Sequence, residues 1–248
     1  IAAISTAYGE SGIGIVRMSG PEALEIFLGL FRLPGGRSLE PGETEPRRMY
    51  YGSIQDPETQ KILDEVMCVY MKGPRSYTAE DLVEIQCHGS IVSLRNILRA
   101  CFQMGAAPAE PGEFTKRAFM NGRIDLAQAE AVIDLIRSRS DQSFEAALDQ
   151  AAGSLSQRVN RLRDELKELL ILLTVNMDYP DEDIEELTYG QIENSLQQID
   201  DTCANLLEFS KEGRMIREGF SVTIMGKPNV GKSSRSEERR VGKECRSR

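Results

Sequence analysis

The sequence predicts a multidomain α+β protein, and three observations support this fold class. Residues 1–111 contain short β-branched and apolar runs separated by turns and two helical stretches. Residues 112–217 change to the 3.6-residue spacing of helices that pack on one another. Residues 218–234 hold an apolar run that enters a glycine-bounded turn, as at the first strand of an α/β domain. We therefore expect three domains with these boundaries.

The composition is that of an acidic globular protein. The 248 residues are 40% hydrophobic and 28% charged, and the formal net charge of −9 disfavours broad electrostatic binding to nucleic acid. No run of about 18 apolar residues occurs, so we expect no membrane association and a cytoplasmic location. The five cysteines are scattered without a C-x-x-C pair, which indicates buried free thiols rather than disulfides or a zinc site.

In the N-terminal domain, two strands are predicted at 1–6 and 12–20, and Pro21 is expected to open an amphipathic helix over 22–31. The proline- and glycine-rich stretch 33–46 predicts a surface loop. Three more strands are predicted at 47–55, 66–72 and 82–87. A second helix is predicted over 90–104.

The helical domain is predicted to be mostly antiparallel. A short helix over 113–120 is followed by one over 126–137 that Asp125 caps, and by a long helix from about 141 to about 175. Two apolar seams with alternating spacings of four and three residues are expected to pack on each other. The first seam consists of Leu155, Val159, Leu162, Leu166, Leu169 and Leu173. The second seam consists of Ile192, Leu196, Ile199, Cys203 and Leu206. The acidic link DYPDED at 178–183 could be a metal site, but we favour an acidic helix start stabilised by the helix dipole.

A phosphate-binding loop is predicted where GKPNVGKS, beginning at Gly226, fits the pattern G-x-x-x-x-G-K-[ST] after an apolar strand at 222–225. Gly226 and Gly231 allow backbone N–H groups to point at a polyphosphate. Lys232 would reach the β- and γ-phosphates, and the Ser233 hydroxyl would ligate Mg²⁺. The alternative is a chance glycine turn after a strand, which four matched positions disfavour.

The last fourteen residues differ from the rest of the chain. Residues 235–248 contain six Lys/Arg and three Asp/Glu, and only Val241 and Cys245 are apolar, so this segment has no face to pack. We interpret it as a foreign tail and expect that the chain is truncated just after the loop. The start at Ile1, without a methionine, indicates that the other end is clipped as well.

Five segments, in order along 1–234, resemble bacterial tRNA modification GTPases of the MnmE (TrmE) family. They are GIGIVRMSGPEAL, YTAEDLVEIQCHG, PGEFTKRAFMNGRIDLAQAEAVIDLI, DYPDEDI and GKPNVGKSS. The resemblance implies an N-terminal α/β domain similar to folate-binding aminomethyltransferases, which dimerises and holds a 5-formyltetrahydrofolate-type one-carbon carrier. It also implies a helical domain with an inserted G domain whose GTP hydrolysis depends on K⁺. The implied reaction is modification of C5 of the wobble uridine of tRNA, together with a flavin-containing partner protein.

Carried over by position, the resemblance implies that Arg17, Glu84 and Arg123 contact the folate. A carboxylate can accept the N–H donors of a pterin, and guanidinium groups can bind carboxylate tails. The alternatives are a structural ion pair for Arg17 and Glu84, and an ordinary loop arginine at position 123. His88, the single histidine, is predicted to have a packing or turn role rather than a catalytic one.

For the nucleotide, the resemblance implies that Asn229 ligates K⁺ and Ser233 ligates Mg²⁺. The implied GTP-binding residues are Gly226, Asn229, Val230, Gly231, Lys232, Ser233 and Ser234. The D-x-x-G and N-K-x-D elements of the family do not occur in this sequence, so the chain is not expected to hydrolyse GTP and no catalytic residue is assigned. The competing hypotheses are a non-catalytic folate-binding dimerisation module, a purely structural protein and an unrelated P-loop ATPase.

Overall fold

The structure, a computed structural model, describes residues 1–7, 9–178, 189–218, 223 and 225–226. The chain forms two compact units, Ile1–Asp164 and Glu165–Arg248. The domain boundaries predicted after residues 111, 217 and 234 stay predictions.

A six-stranded antiparallel sheet forms the centre of the first unit. Its strands are β1 (Ala2–Ile4), β2 (Ser11–Ser19), β3 (Phe31–Arg32), β4 (Met49–Gln55), β5 (Ile62–Met71) and β6 (Leu82–Gly89). They lie in the order β1-β2-β6-β5-β4-β3, and every neighbouring pair is antiparallel. This part of the chain therefore has the predicted α+β character.

Two helices, α1 (Ala23–Leu30) and α2 (Ile91–Gln103), bury one face of this sheet. Phe27 of α1 and Ile97 of α2 are fully buried in the same core as Val16 of β2 and Ile85 of β6. Because side chains alternate along a strand, the neighbours of these strand residues lie on the opposite face. We call that second surface the open face, and it carries the site described below.

Most bounds in this region differ from the predicted ones by one or more residues, and strand β3 (Phe31–Arg32) was not predicted. Helix α1 begins at Ala23, after an N-cap at Glu22, so Pro21 precedes the helix instead of opening it. Strand β5 begins four residues earlier than predicted because its pairing with β4 continues to the turn that joins them. The predicted loop 33–46 contains a short 3-10 helix at Pro41–Glu43.

Five more helices follow, and they are α3 (Glu113–Met120), α4 (Leu126–Arg137), α5 (Asp141–Ala151), α6 (Ser154–Asp178) and α7 (Tyr189–Glu218). The predicted cap of α4 is confirmed, since an oxygen of Asp125 accepts a hydrogen bond of 2.9 Å from the backbone N–H of Gln128. The Gln128 side chain in turn accepts a bond from the Asp125 N–H, which completes a capping box.

The prediction of one long helix from 141 to 175 is wrong. Helix α5 ends at Ala151, and Gly153 has a φ of +86° before α6 begins. Glycine reaches this left-handed conformation at little cost, so it ends the first helix, and its N–H donates to the carbonyl oxygen of Gln150.

The predicted seam of α6 is only partly buried within the described residues. Leu169 is buried, but Leu155, Val159 and Leu166 are between 41% and 51% exposed. In α7, Ile199 is buried. The antiparallel packing of the two seams stays a prediction.

Several other predictions concern residues near the end of the chain. Of the predicted strand at 222–225, Thr223 and Met225 are described, and both are exposed and outside any strand. The acidic residues 179–183 of the link lie outside the described residues.

The buried free thiols are confirmed for Cys68, Cys87 and Cys101. In the described part of the chain, no helix combines the length and the apolar character needed to cross a membrane.

Candidate functional site

Arg17 and Glu84 form an ion pair on the open face of the sheet. The antiparallel register of β2 and β6 places the two residues directly opposite each other. The Nε and Nη2 atoms of Arg17 donate to the same carboxylate oxygen, Oε1, at 2.9 and 2.7 Å. Among the described residues, no group donates a hydrogen bond to the second oxygen, Oε2. Glu84 therefore keeps an acceptor for another donor, although its side chain is only 18% exposed.

Two aromatic rings flank the guanidinium group of Arg17. Its Cζ atom lies 5.5 Å from the ring centroid of Tyr77, which belongs to the loop between β5 and β6. It also lies 5.6 Å from the ring centroid of Phe114, in the first turn of α3. A cation near the face of an aromatic ring is attracted by the ring quadrupole. The open face and α3 therefore meet around Arg17.

Arg123 joins the same group of residues through Tyr77. It follows α3, and its Cζ atom lies 5.1 Å from the Tyr77 ring centroid. Its Nη1 atom donates a hydrogen bond of 3.0 Å to the carbonyl oxygen of Tyr77. No carboxylate pairs with Arg123 within the described chain, and its side chain is exposed. Arg17 and Arg123, two of the three residues predicted to contact folate, thus lie against one tyrosine, and the third, Glu84, joins them through its ion pair with Arg17.

The loop that carries Tyr77 is held in place on both sides. The hydroxyl groups of Tyr77 and Thr115 lie 2.8 Å apart, and the Asn121 side chain donates to the carbonyl oxygen of Thr78 at 2.7 Å. The Thr78 hydroxyl, which is buried, lies 2.6 Å from the hydroxyl of Ser19 on β2. The loop is therefore bonded to both α3 and the sheet.

Arg117 of α3 adds an ionic link to the same loop. It lies 3.2 Å from a carboxylate oxygen of Glu80 and 3.1 Å from one of Glu113. The backbone N–H of Glu110 and, less strongly, the Arg117 guanidinium hold the pKa of Glu113 below its ordinary value. Arg117 thus joins two carboxylates from separate segments.

Sequence reasoning did not single out Tyr77, Phe114 or Thr115. Each lies in a segment that carries a predicted site residue, YTAEDLVEIQ or PGEFTKRAFMNGR. The available signal was that each segment contains an aromatic residue. The sequence alone does not show that these two residues come together, because that requires the two segments to meet in the folded chain. The whole group offers one carboxylate acceptor, two guanidinium groups and an aromatic wall, which suits the binding of a polar ring with an anionic substituent.

His88 belongs to a different polar cluster at the end of β6. Its Nδ1 atom lies 2.6 Å from Oδ1 of Asp64, and its backbone N–H donates to Oδ2 at 3.0 Å. The Ser93 hydroxyl of α2 also donates to that carboxylate. His88 thus helps to hold the turn between β6 and α2 against β5, and its imidazole ring is 70% exposed.

The predicted nucleotide site is almost entirely outside the described residues. Gly226 is described, whereas Asn229, Val230, Gly231, Lys232, Ser233 and Ser234 are not. The assignments of Ser233 to Mg²⁺ and of Asn229 to K⁺ stay predictions.

Two protein-family models match this chain. One, described as "GTP-binding protein TrmE N-terminus", matches residues 1–123, and the other, "MnmE helical domain", matches residues 126–245. The second match extends into the segment that we interpret as a foreign tail, and that interpretation stays a prediction.

Curated relatives share close to half of their aligned residues with the chain. It is 48% identical over 234 residues to a protein of Alkaliphilus oremlandii named tRNA modification GTPase MnmE, an alignment that covers 94% of this chain and 50% of the relative. Proteins of the same name from Alkaliphilus metalliredigens and Clostridioides difficile are 49% and 48% identical over 234 residues, with the same coverage. The chain thus spans about half the length of the curated relatives it matches. The two family models and these relatives agree, and the chain belongs to the MnmE (TrmE) family.

Proposed function

We propose that the first unit binds a one-carbon derivative of tetrahydrofolate, such as 5-formyltetrahydrofolate, through Arg17, Glu84 and Arg123. One observation carries the proposal: Glu84 has one oxygen held by Arg17 and one without a donor among the described residues. Arg123, which has no carboxylate partner within the described chain, is joined to the same site by its hydrogen bond to Tyr77.

The chemistry of a folate matches this set of groups. The pterin head presents an amino group beside a ring N–H, and such paired donors bind a carboxylate like that of Glu84. The glutamate tail ends in carboxylates, for which a guanidinium group is the strongest side-chain partner. When bound, the folate supplies the one-carbon unit. The side chains of this site would bind and orient it, and Tyr77 and Phe114 would exclude water from one side of the head.

For the full-length protein we infer GTP-dependent modification of tRNA, at C5 of the wobble uridine and of the carboxymethylaminomethyl type. The relatives named tRNA modification GTPase support the general activity, and the resemblance supports the finer assignment. The inferred assembly is a cytoplasmic homodimer, formed through the N-terminal domain, that works with tRNA and a flavin-containing partner protein. GTP, Mg²⁺ at Ser233 and K⁺ at Asn229 complete the inferred set of ligands.

For the chain of 248 residues alone, we propose folate binding without turnover. Its sequence has the phosphate-binding loop pattern but no D-x-x-G or N-K-x-D element. This observation favours the non-catalytic binding module as the function of the chain by itself.

Calorimetric titration with 5-formyltetrahydrofolate tests the binding site. We expect saturable heat from the wild type and a loss of affinity of roughly 10- to 100-fold in Glu84→Gln, because a hydrogen bond to a charged group is removed. Arg17→Gln and Arg123→Gln should also weaken binding. Arg37→Gln is the matched control, because Arg37 forms an exposed pair with Glu43 away from these residues. Absence of heat with the folded wild type, or wild-type affinity in Glu84→Gln, would contradict the proposal.

A further inference from the structure

Tyr77 contacts both guanidinium groups of the proposed folate site with a single ring. Its ring centroid lies 5.5 Å from Cζ of Arg17 and 5.1 Å from Cζ of Arg123. Both contacts are within the range of cation–π attraction. The position of this ring therefore limits how far apart the two cations can lie.

The ring itself has little freedom to move. Its hydroxyl is paired with that of Thr115, and the residues on either side, Ser76 and Thr78, are buried. The carbonyl oxygen of Tyr77 accepts the hydrogen bond from Arg123. The Tyr77 hydroxyl is thus held by Thr115, and the neighbouring Thr78 is held by Asn121 and Ser19, so the position of the ring is fixed by contacts other than those with the arginines.

The two arginines depend on Tyr77 to different degrees. Arg17 also has the ion pair with Glu84 and the contact with Phe114. Arg123 is exposed, and both described contacts of its side chain are with Tyr77. An arginine side chain loses considerable rotamer entropy when a ligand immobilises it, so holding it beforehand increases affinity. Removal of the ring should therefore affect Arg123 more than Arg17.

We propose that Tyr77 is a positioning residue that holds Arg123 at a set distance from the Arg17–Glu84 pair. In this role it makes the site selective for a ligand whose head binds Glu84 and whose tail is anionic. The inference rests on the proposed folate-binding function and assigns the selectivity for the charged tail to a residue outside the set Arg17, Glu84 and Arg123.

The test compares two ligands that share one head. Calorimetry is performed on the 248-residue chain with 5-formyltetrahydrofolate and with its diamide, in which both tail carboxylates are neutral. The ratio of the two dissociation constants measures the selectivity for the charged tail. In Tyr77→Leu we expect the acid to bind roughly tenfold more weakly and the diamide only about twofold more weakly, so the ratio falls about fivefold.

Two variants separate positioning from general damage to the site. Tyr77→Phe keeps the ring and both cation contacts, so it should retain the wild-type ratio. Phe114→Leu removes a ring that contacts Arg17 but has no described contact with Arg123, so it should weaken both ligands equally and leave the ratio unchanged. Circular dichroism checks the fold of each variant, and Tyr77→Met serves as a second ring-free variant if Tyr77→Leu is unfolded.

The outcomes distinguish this inference from the proposed function. A wild-type ratio in Tyr77→Leu or Tyr77→Met, while Glu84→Gln still weakens binding as expected, overturns the positioning role and leaves folate binding intact. A ratio in Tyr77→Phe as low as in the ring-free variants, or unfolding of both ring-free variants, shows that Tyr77 acts in another way and also overturns it. No binding of either ligand by the folded wild type overturns both.

Discussion

Asn121 and Thr78 are joined by a hydrogen bond of 2.7 Å from the Asn121 side-chain amide to the Thr78 carbonyl oxygen. The two residues are 43 positions apart, and the bond ties the end of α3 to the loop that carries Tyr77. Because Thr78 is fully buried, its carbonyl oxygen has little access to water as a substitute partner.

We expect Asn121→Ala to lower the free energy of unfolding by about 1–2 kcal/mol, since it leaves that buried carbonyl without its donor. Urea denaturation followed by circular dichroism measures the change. Asn160→Ala, at an exposed position of α6, is the control and should be neutral or slightly stabilising because alanine favours helix. Equal stabilities of Asn121→Ala and the wild type would show that the bond contributes nothing.

The break between α5 and α6 depends on Gly153. An alanine at this position would have to adopt a φ of +86°, which side chains disfavour, and its Cβ atom would lie 3.3 Å from Nε2 of Gln128. Gly153→Ala should therefore destabilise the protein by about 1–2 kcal/mol. Gly190→Ala is the matched control, because Gly190 lies in α7 with open space around it, and alanine there should stabilise the helix by up to about 1 kcal/mol. If both substitutions stabilise the protein, the break does not require glycine.

The pair of His88 and Asp64 predicts a pH dependence of stability. The hydrogen bond to Asp64 raises the pKa of His88 above its ordinary value of 6.5. Because this pKa is higher in the folded state, protonated His88 contributes to the free energy of unfolding. That contribution is complete below pH 6.5 and is lost as the pH rises through the folded pKa of His88. Burial opposes ionisation of Asp64, but the Ser93 hydroxyl and His88 outweigh it and lower its pKa below 3.8. The contribution of ionised Asp64 to stability is therefore complete above pH 3.8 and is lost as the pH falls through the folded pKa of Asp64.

Imidazole proton NMR over pH 5–9 measures the His88 pKa directly, because the chain has a single histidine. We expect Asp64→Asn to return this pKa toward its ordinary value and His88→Gln to remove the decline in stability above pH 6.5. Ser93→Ala should leave the raised pKa of His88 in place, because the imidazole contact with Asp64 remains. An unshifted pKa in the wild type would exclude the pair as a source of pH dependence.

The chain of 248 residues should not hydrolyse GTP. Phosphoryl transfer depends on positioned groups around the γ-phosphate and the attacking water, and the loop residues Lys232 and Ser233 supply only part of them. Phosphate release is measured with GTP, Mg²⁺ and either K⁺ or Na⁺, with Lys232→Ala as the control for contaminating activity. Turnover that K⁺ stimulates and that Lys232→Ala abolishes would contradict this prediction.

Much of the secondary structure could be predicted from the sequence because its causes are local. The bounds of α3 and α4 match the predicted ones, and Asp125 caps α4, since periodicity and capping involve residues three or four apart. The break at Gly153 could not be predicted in this way, because a glycine within an amphipathic run is compatible with a continuous helix. In the structure, Gln128 of α4 donates to the carbonyl oxygen of Ala151, and Gln150 donates to that of Ala127, so contacts between α4 and α5 help to set where α5 ends.

In the candidate site, too, the sequence predicted the individual residues and the tertiary structure decided how they are arranged. Resemblance in short segments was sufficient to select Arg17, Glu84 and Arg123, because each motif lies in one continuous stretch of chain. Their arrangement in one site required the folded chain, since Arg17 meets Glu84 across 67 positions and Arg123 meets Tyr77 across 46. Strand pairing and the attachment of the loop to α3 create these contacts. Local sequence carries no signal for them, because the energy that brings the segments together comes from burying the core beneath the sheet.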